Sequence, residues 1–234
     1  RFASRDAVES ALEALRANGV VSRIDGLTER VYSIGHEHTL EAAYYRNTII
    51  HFFVNVGITE LAIALGVLED GPMDEESIVQ RAVALRDLFK FEFFFSPTKE
   101  FEDEIREEIA RYRVGDATPD GPVSVDIDSM MPAKSPIVLR PFLEAYYVVA
   151  SALRTFGDEP VTEEQLAEAS LSMGNQLLSQ GVIRNAEAVS TTLFSSGIEL
   201  AENRHLLDAD RAARAEFEHE LHDALVAVSN VAAL

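Results

Sequence analysis

Asp74-Glu75-Glu76-Ser77-Ile78-Val79-Gln80-Arg81-Ala82-Val83-Ala84-Leu85-Arg86-Asp87-Leu88-Phe89 is the stretch that decides the fold class. Ile78, Val79, Ala82, Leu85, Leu88 and Phe89 recur at spacings of three and four, which lines them along one face of an α-helix. Asp74, Glu75 and Glu76 stand where the free N–H groups of a helix N-terminus favour acids. Gly71-Pro72 supplies the turn before them. The run continues into Phe91-Glu92-Phe93-Phe94-Phe95. The pattern predicts helix to about Phe94, ended by Ser96-Pro97, because the residue before a proline is pushed out of helical conformation.

The same period extends both ways. Leu40 to about Leu65 reads as one long, largely buried helix, and any break in it is expected at Gly57 or Gly66. Nearer the N-terminus, Ser4 is a natural cap for a helix carrying Val8, Ala11, Leu12 and Leu15, which Gly19 stops. Val20–Ile24 and Arg30–Ile34 flank Asp25-Gly26, a turn signal between β-branched runs, so a β-hairpin is expected there. Downstream, 99–113 reads as a highly charged, mostly exposed helix. Residues 115–134 are turn-rich and read as a loop, with 123–127 a short strand inside it. Pro141 opens a helix running to Phe156 and stopped by Gly157. Thr162-Glu163-Glu164-Gln165 fits a capping box for a helix to about Gln180. Two more helices follow, at about 185–202 and 208–229. The expected fold is therefore mainly α, a multi-helix bundle with a small N-terminal helix-plus-β-hairpin element, winged-helix-like. Its four stretches are 1–39 (helix and hairpin), 40–113 (helical), 114–135 (loop) and 136–234 (C-terminal helices).

Composition narrows the function. The 234 residues are 47% apolar, enough for a real core, and carry 40 acidic against 20 basic side chains for a net charge of −20. That field repels nucleic acid and anionic bilayers, so this segment is not expected to grip either. There is no cysteine, hence no disulfide and no thiolate metal site. The longest apolar run, 52–68, is interrupted by Asn55, Thr59 and Glu60 and is shorter than the ~20 residues a spanning helix needs, so no transmembrane segment is expected. The opening Arg1-Phe2-Ala3-Ser4 lacks Met and the layout of a signal peptide, and reads as a piece of something longer.

Nucleophile-elbow, phosphate-loop and dinucleotide fingerprints are absent from the sequence. Glu216, His219, His222 and Asp223 come nearest to a metal set. Glu216 and His219 have Glu-x-x-His spacing, but no partner helix supplies the remaining ligands a di-iron bundle needs, so no metal and no other cofactor is expected. His36 and His38 read as loop residues. Tyr44, Asn47, His51, Asn55 and Thr59 form a polar stripe at spacings of three and four, with Arg46 to its side and Ile50 and Phe53 above it. A stripe of that kind is a hydrogen-bond network fixing helix register, a docking seam for another domain, or the wall of a polar pocket.

Three segments occur in order: Tyr44-Tyr45-Arg46-Asn47-Thr48-Ile49-Ile50-His51, then Leu88-Phe89-Lys90-Phe91-Glu92-Phe93-Phe94-Phe95, then Leu139-Arg140-Pro141-Phe142-Leu143-Glu144-Ala145-Tyr146-Tyr147. Together they resemble the C-terminal region of the bacterial membrane-associated, PlsB-type sn-glycerol-3-phosphate acyltransferases. The resemblance implies a parent enzyme that transfers an acyl group from acyl-CoA or acyl-carrier protein to the 1-hydroxyl of sn-glycerol 3-phosphate, giving lysophosphatidic acid for phospholipid synthesis. It implies a preceding acyltransferase domain as the partner, and peripheral attachment to the cytoplasmic face of the cell membrane through the parent.

In that family a His-x-x-x-x-Asp block in the preceding domain provides the general base and the group that orients it. Here only His205 and Asp210 have the spacing, without the family's surroundings and far downstream of the block's place; they read as a helix boundary with Asp208 capping. The chain is thus expected to be a non-catalytic portion. Tyr44, Arg46, Asn47, His51 and Arg140 are the candidates for a domain interface or polar network, Arg140 because it precedes Pro141 at a helix N-terminus suited to anions. Two other readings stand beside this one: a winged-helix-containing regulator or interaction module, and an independent acyltransferase using His205 and Asp210.

Overall fold

The computed structural model describes residues 5–26, 30–68, 73–112, 135–208 and 210–233. The chain divides into two compact units, 1–50 and 51–234.

In the first unit, α1 (Arg5–Ala17) ends in a turn at Gly19, whose φ of +79° is a left-handed conformation that glycine adopts without steric cost. The Ser4 cap lies outside the described residues. β1 (Val21–Asp25) pairs antiparallel with β2 (Arg30–Ile34), Val21 opposite Ile34 and Asp25 opposite Arg30. Glu13 of α1 ties the helix to the hairpin, accepting from Arg23 at 2.9 Å and from the Tyr32 hydroxyl at 3.1 Å. A 3₁₀ turn at His36–His38 leads into α2 (Thr39–Ile49).

The single long helix expected over 40–65 does not form. After α2 comes a 3₁₀ turn at Ile50–Phe52, and α3 (Val54–Leu68) begins beyond it. The break follows the β-branched run Thr48-Ile49-Ile50, which crowds a helix, and falls before either glycine. Gly57 lies inside α3, its N–H bonded to the Phe53 carbonyl at 2.8 Å. A Cβ there would sit 2.9 Å from the Ser135 carbonyl oxygen, so the glycine serves close backbone approach. Burial is also concentrated in α3: Ile58, Leu61 and Ala62 are buried, whereas in α2 Ala43 is buried but Tyr44, Tyr45 and Ile49 are exposed.

The second unit is built around α6 (Arg140–Arg154). Twelve of its fifteen residues are buried, which makes it the central helix, and α7 (Glu163–Ser179), α8 (Thr191–Asn203) and α9 (Arg211–Ala233) all pack on it. Each large apolar side chain buried this way contributes about 1.5–3 kcal/mol. α3 packs on α4 (Glu75–Leu88), α5 (Thr98–Tyr112) and α9. Asp74 caps α4, accepting from the Ser77 N–H at 2.9 Å. The expected continuation of α4 to Phe94 is wrong. The helix stops at Leu88, and the turns that follow let Phe93 reach Phe142 (ring centroids 5.0 Å apart) while Phe95 reaches Phe101 (5.6 Å). α5 is amphipathic: eight of its fifteen residues are exposed, as expected, while Phe101, Ile105 and Ile109 are buried.

Both bonds of the Thr162–Gln165 capping box are present, and Gly157 ends the α6 region with a φ of +59°. The expected helix over 185–202 is a 3₁₀ turn at Ala186–Ala188 followed by α8. The loop and short strand expected over 115–134, and the turn at Gly71-Pro72, lie outside the described residues. Among the described residues, one helical stretch, Ser135–Arg154, is long and apolar enough to cross a membrane, but 78% of its apolar window is buried inside the fold.

Candidate functional site: a buried carboxylate hub and exposed motif residues

α6 places Glu144 in its apolar interior, one helical turn after Arg140. The Glu144 side chain is 1% exposed and that of Arg140 12%. Arg140 Nε donates to Glu144 Oε1 at 2.8 Å. The backbone N–H groups of Arg184 (3.1 Å) and Asn185 (2.8 Å) and the Asn185 side-chain amide (2.9 Å) donate to the same carboxylate. A buried anion is tolerable because four donors, one of them on a paired cation, replace water. The hub fixes the segment between α7 and α8 against α6, and it turns Arg140 inward onto a carboxylate at the N-terminal end of its helix.

A second buried polar group joins two of the family-like segments. Glu92, from the aromatic turns after α4, and Tyr146 of α6 both face the Ser196 side chain of α8. Glu92 Oε2 and the Tyr146 hydroxyl are shielded from solvent without a hydrogen bond of normal geometry among the described residues. Burial pushes the Glu92 carboxyl above the usual carboxylate range, and burial with the nearby Glu92 charge raises the Tyr146 hydroxyl as well.

The third group lies between α3 and α5. The Tyr112 hydroxyl lies 2.9 Å from Glu60 Oε1 and 3.4 Å from Glu108 Oε1, with both carboxyls buried. Glu108 is paired with Arg111 at 2.6 Å, whereas Glu60 Oε2 has no partner among the described residues. Desolvation pushes the Glu60 carboxyl up, which favours its neutral form.

The residues singled out from the sequence are placed differently from one another. Tyr44, Arg46 and Asn47 lie on α2 in the first unit. Tyr44 is 68% exposed and meets Tyr45 edge-on, with ring centroids 5.8 Å apart. Arg46 donates to Asn47 Oδ1 through Nη2 at 2.9 Å. His51 is exposed, its ring 4.0 Å from that of Phe52, itself 71% exposed. Further along, Asn55 donates to Glu104 at 2.7 Å, and the Thr59 hydroxyl donates to the Asn55 carbonyl at 2.8 Å. Of the stripe, Thr59 is fully buried and Asn55 half-buried, whereas Tyr44, Asn47 and His51 are exposed.

His205 and Asp210 each have a local task. His205 is exposed with a φ of +58°, at the left-handed turn that ends α8, where the Leu206 N–H bonds the Ala201 carbonyl. Asp210 caps α9 by accepting from the Ala213 N–H at 2.9 Å. The capping role expected of Asp208 therefore belongs to Asp210. On α9, His219 Nε2 and His222 Nδ1 lie 3.4 and 3.6 Å from the two Asp223 oxygens, and exposed Glu216 is outside this trio.

The sequence reading passed over Glu144, Glu60 and Arg214. The first two carried a signal, since each is a lone acid in an apolar run. Arg214 carried none: it is fully buried in α9 and donates to five carbonyls, those of Leu206, Gly157, Glu159, Leu207 and Asp208, at 2.8–3.2 Å. It staples the α6–α7 connection to the α8–α9 connection.

Comparison with known proteins reaches the same family. The model of the family described as "Glycerol-3-phosphate acyltransferase C-terminal region" matches residues 2–210. Proteins named "Putative acyltransferase plsB1" from Mycobacterium tuberculosis and Mycobacterium bovis are each 34% identical over 242 residues, covering 99% of this chain. The chain spans 39% of the length of these curated relatives. A mainly helical chain with the three motifs in order, matched almost end to end, belongs to the family of glycerol-3-phosphate acyltransferase C-terminal regions.

Proposed function

We propose that this chain is the non-catalytic C-terminal helical portion of a glycerol-3-phosphate 1-O-acyltransferase. It packs on the acyltransferase portion of the parent protein and supports it. The parent takes acyl groups from acyl-CoA or acyl-carrier protein to sn-glycerol 3-phosphate, forming lysophosphatidic acid for phospholipid biosynthesis at the cytoplasmic face of the membrane. The observation that carries this reading is the exposure of the first family-like segment. Tyr44, which opens that segment, is 68% exposed, and Phe52, the residue just after its end, is 71% exposed; exposed aromatic residues of that kind are what an uncovered docking segment presents. Two further features support it. The one His-x-x-x-x-Asp match has both members occupied as a helix-end residue and a helix cap. The charge of −20 leaves the anionic substrates and lipid to be met elsewhere in the parent.

The regulator reading has less support. In the hairpin, Arg23 is neutralised by Glu13 at 2.9 Å and Asp25 at 3.2 Å, which removes a cation a nucleic-acid-binding wing would use. The experiment is acylation by the intact parent carrying Tyr44→Asp with Phe52→Asp. Acyltransferase activity is expected to fall at least tenfold while this chain, carrying the same changes, keeps its melting temperature within 2 °C. Full activity of the doubly substituted parent overturns the reading.

A further inference from the structure

Phe94 is the most exposed large apolar residue among those described, at 108% of its reference area. It is the next-to-last residue of the second family-like segment, and the stretch that carries it is held on both sides. Before it, the Phe93 N–H bonds the Phe89 carbonyl at 3.0 Å, and the Phe93 ring packs on Phe142 of α6. After it, the Phe95 ring packs edge-on against Phe101, and Arg86 of α4 lies over both rings at 5.6 and 5.3 Å. Arg86 also donates to the Ser96 carbonyl at 3.0 Å. Lys90 fixes the start of the turns from another side, bonding Asp87 at 2.9 Å and Asn203 of α8 at 2.6 Å.

A side chain so presented contributes little to its own fold, while the backbone on either side of it is fixed by the contacts of Arg86, Lys90, Phe93 and Phe95. Rigid aromatic presentation lowers the ordering cost of association, which is how a binding anchor is built. A bilayer is a poor occupant, because a segment of net charge −20 is repelled by anionic lipid and one phenyl ring anchors weakly. The parent's own remainder is the favoured occupant. The relatives are more than twice as long as this chain, and a partner on the same polypeptide meets the ring at high effective concentration. We infer that Phe94 inserts into an apolar pocket on the part of the parent acyltransferase that lies outside this chain, as a second anchor independent of the Tyr44–Phe52 segment. This rests on the proposed function and adds to it the contacting residue.

The test uses the intact parent with p-benzoylphenylalanine, a close analogue of the phenyl side chain, in place of Phe94. After irradiation and digestion, the expected product joins position 94 to a peptide of the same polypeptide outside these 234 residues. At least a fivefold loss of that product is expected when the parent is first unfolded in urea. Attachment to lipid, to a second copy, to a peptide within this chain, or to nothing overturns the inference. None of those outcomes bears on the activity test of the Tyr44 and Phe52 variants, so the anchor and the supporting role fail separately.

Discussion

Replacing Glu144 by alanine removes the acceptor of four hydrogen bonds in one step. The backbone amides of Arg184 and Asn185 lose their partner inside the fold, at a cost of about 1–3 kcal/mol for each buried donor left unmade. Arg140, with its side chain 12% exposed, keeps its charge and loses its carboxylate. Breaking one member of a buried pair costs about 3–5 kcal/mol, and water entering the space left by the carboxyl recovers part of the amide cost. The expected loss is thus about 4 kcal/mol, a large share of the ~5–15 kcal/mol that holds a typical domain together. Glu144→Gln keeps an acceptor for Asn185 but turns an N–H toward the other donors, and is expected to cost about 2 kcal/mol. Arg140→Met removes the cation with its partner still hydrogen-bonded by three donors, so the Arg140→Met/Glu144→Ala cycle should show a coupling of at least ~1.5 kcal/mol. Urea unfolding with an unchanged m-value measures all of these. A Glu144→Ala loss below ~1 kcal/mol, or zero coupling, refutes the account of the hub.

Arg214→Lys keeps the charge but replaces a planar five-donor fork by three donors on a flexible stem, too few for the five carbonyls that Arg214 serves. A loss of about 2–4 kcal/mol is expected in the same unfolding experiment, with faster amide exchange at Val161, whose N–H bonds the Leu207 carbonyl in the stapled connection. Glu60 gives a pH prediction. Burial raises its folded carboxyl above the usual carboxylate range, so its contribution is fully present below that range and is lost as pH rises through the raised folded value. Glu60→Gln should therefore match the parent chain in acid and exceed it by about 1 kcal/mol at neutral pH, seen as a higher melting temperature at pH 7.5 but not at pH 4. Equal melting temperatures at both pH values sink this reading.

The helices were legible wherever apolar period and end signals agreed. The capping box at Thr162 and Gln165, the stop at Gly157, the Asp74 cap and the hairpin around Asp25-Gly26 all follow from short-range chemistry that one sequence displays. Two of the failures share one cause, namely packing partners distant in sequence. Gly57 looks like a breaker until Ser135 is known to press against it. The aromatic run to Phe95 extends the helical period, but Phe142 and Phe101 draw its rings in separate directions. Of the candidate residues, Arg140 was placed correctly at a helix start, while the partner that defines its surroundings, Glu144, became visible only with Arg184 and Asn185 folded over it. The Tyr44–His51 segment carried the family signal, but the break at Ile50–Phe52 that follows α2 is announced by no turn residue.

The central claim is that this chain supports an acyltransferase without performing the chemistry. Its most direct test is glycerol-3-phosphate-dependent release of CoA from acyl-CoA, measured on this chain and on the intact parent. No turnover above buffer is expected for the chain, and His205→Ala is expected to leave the activity of the parent within twofold of wild type. Turnover by the chain that His205→Ala abolishes would contradict the claim.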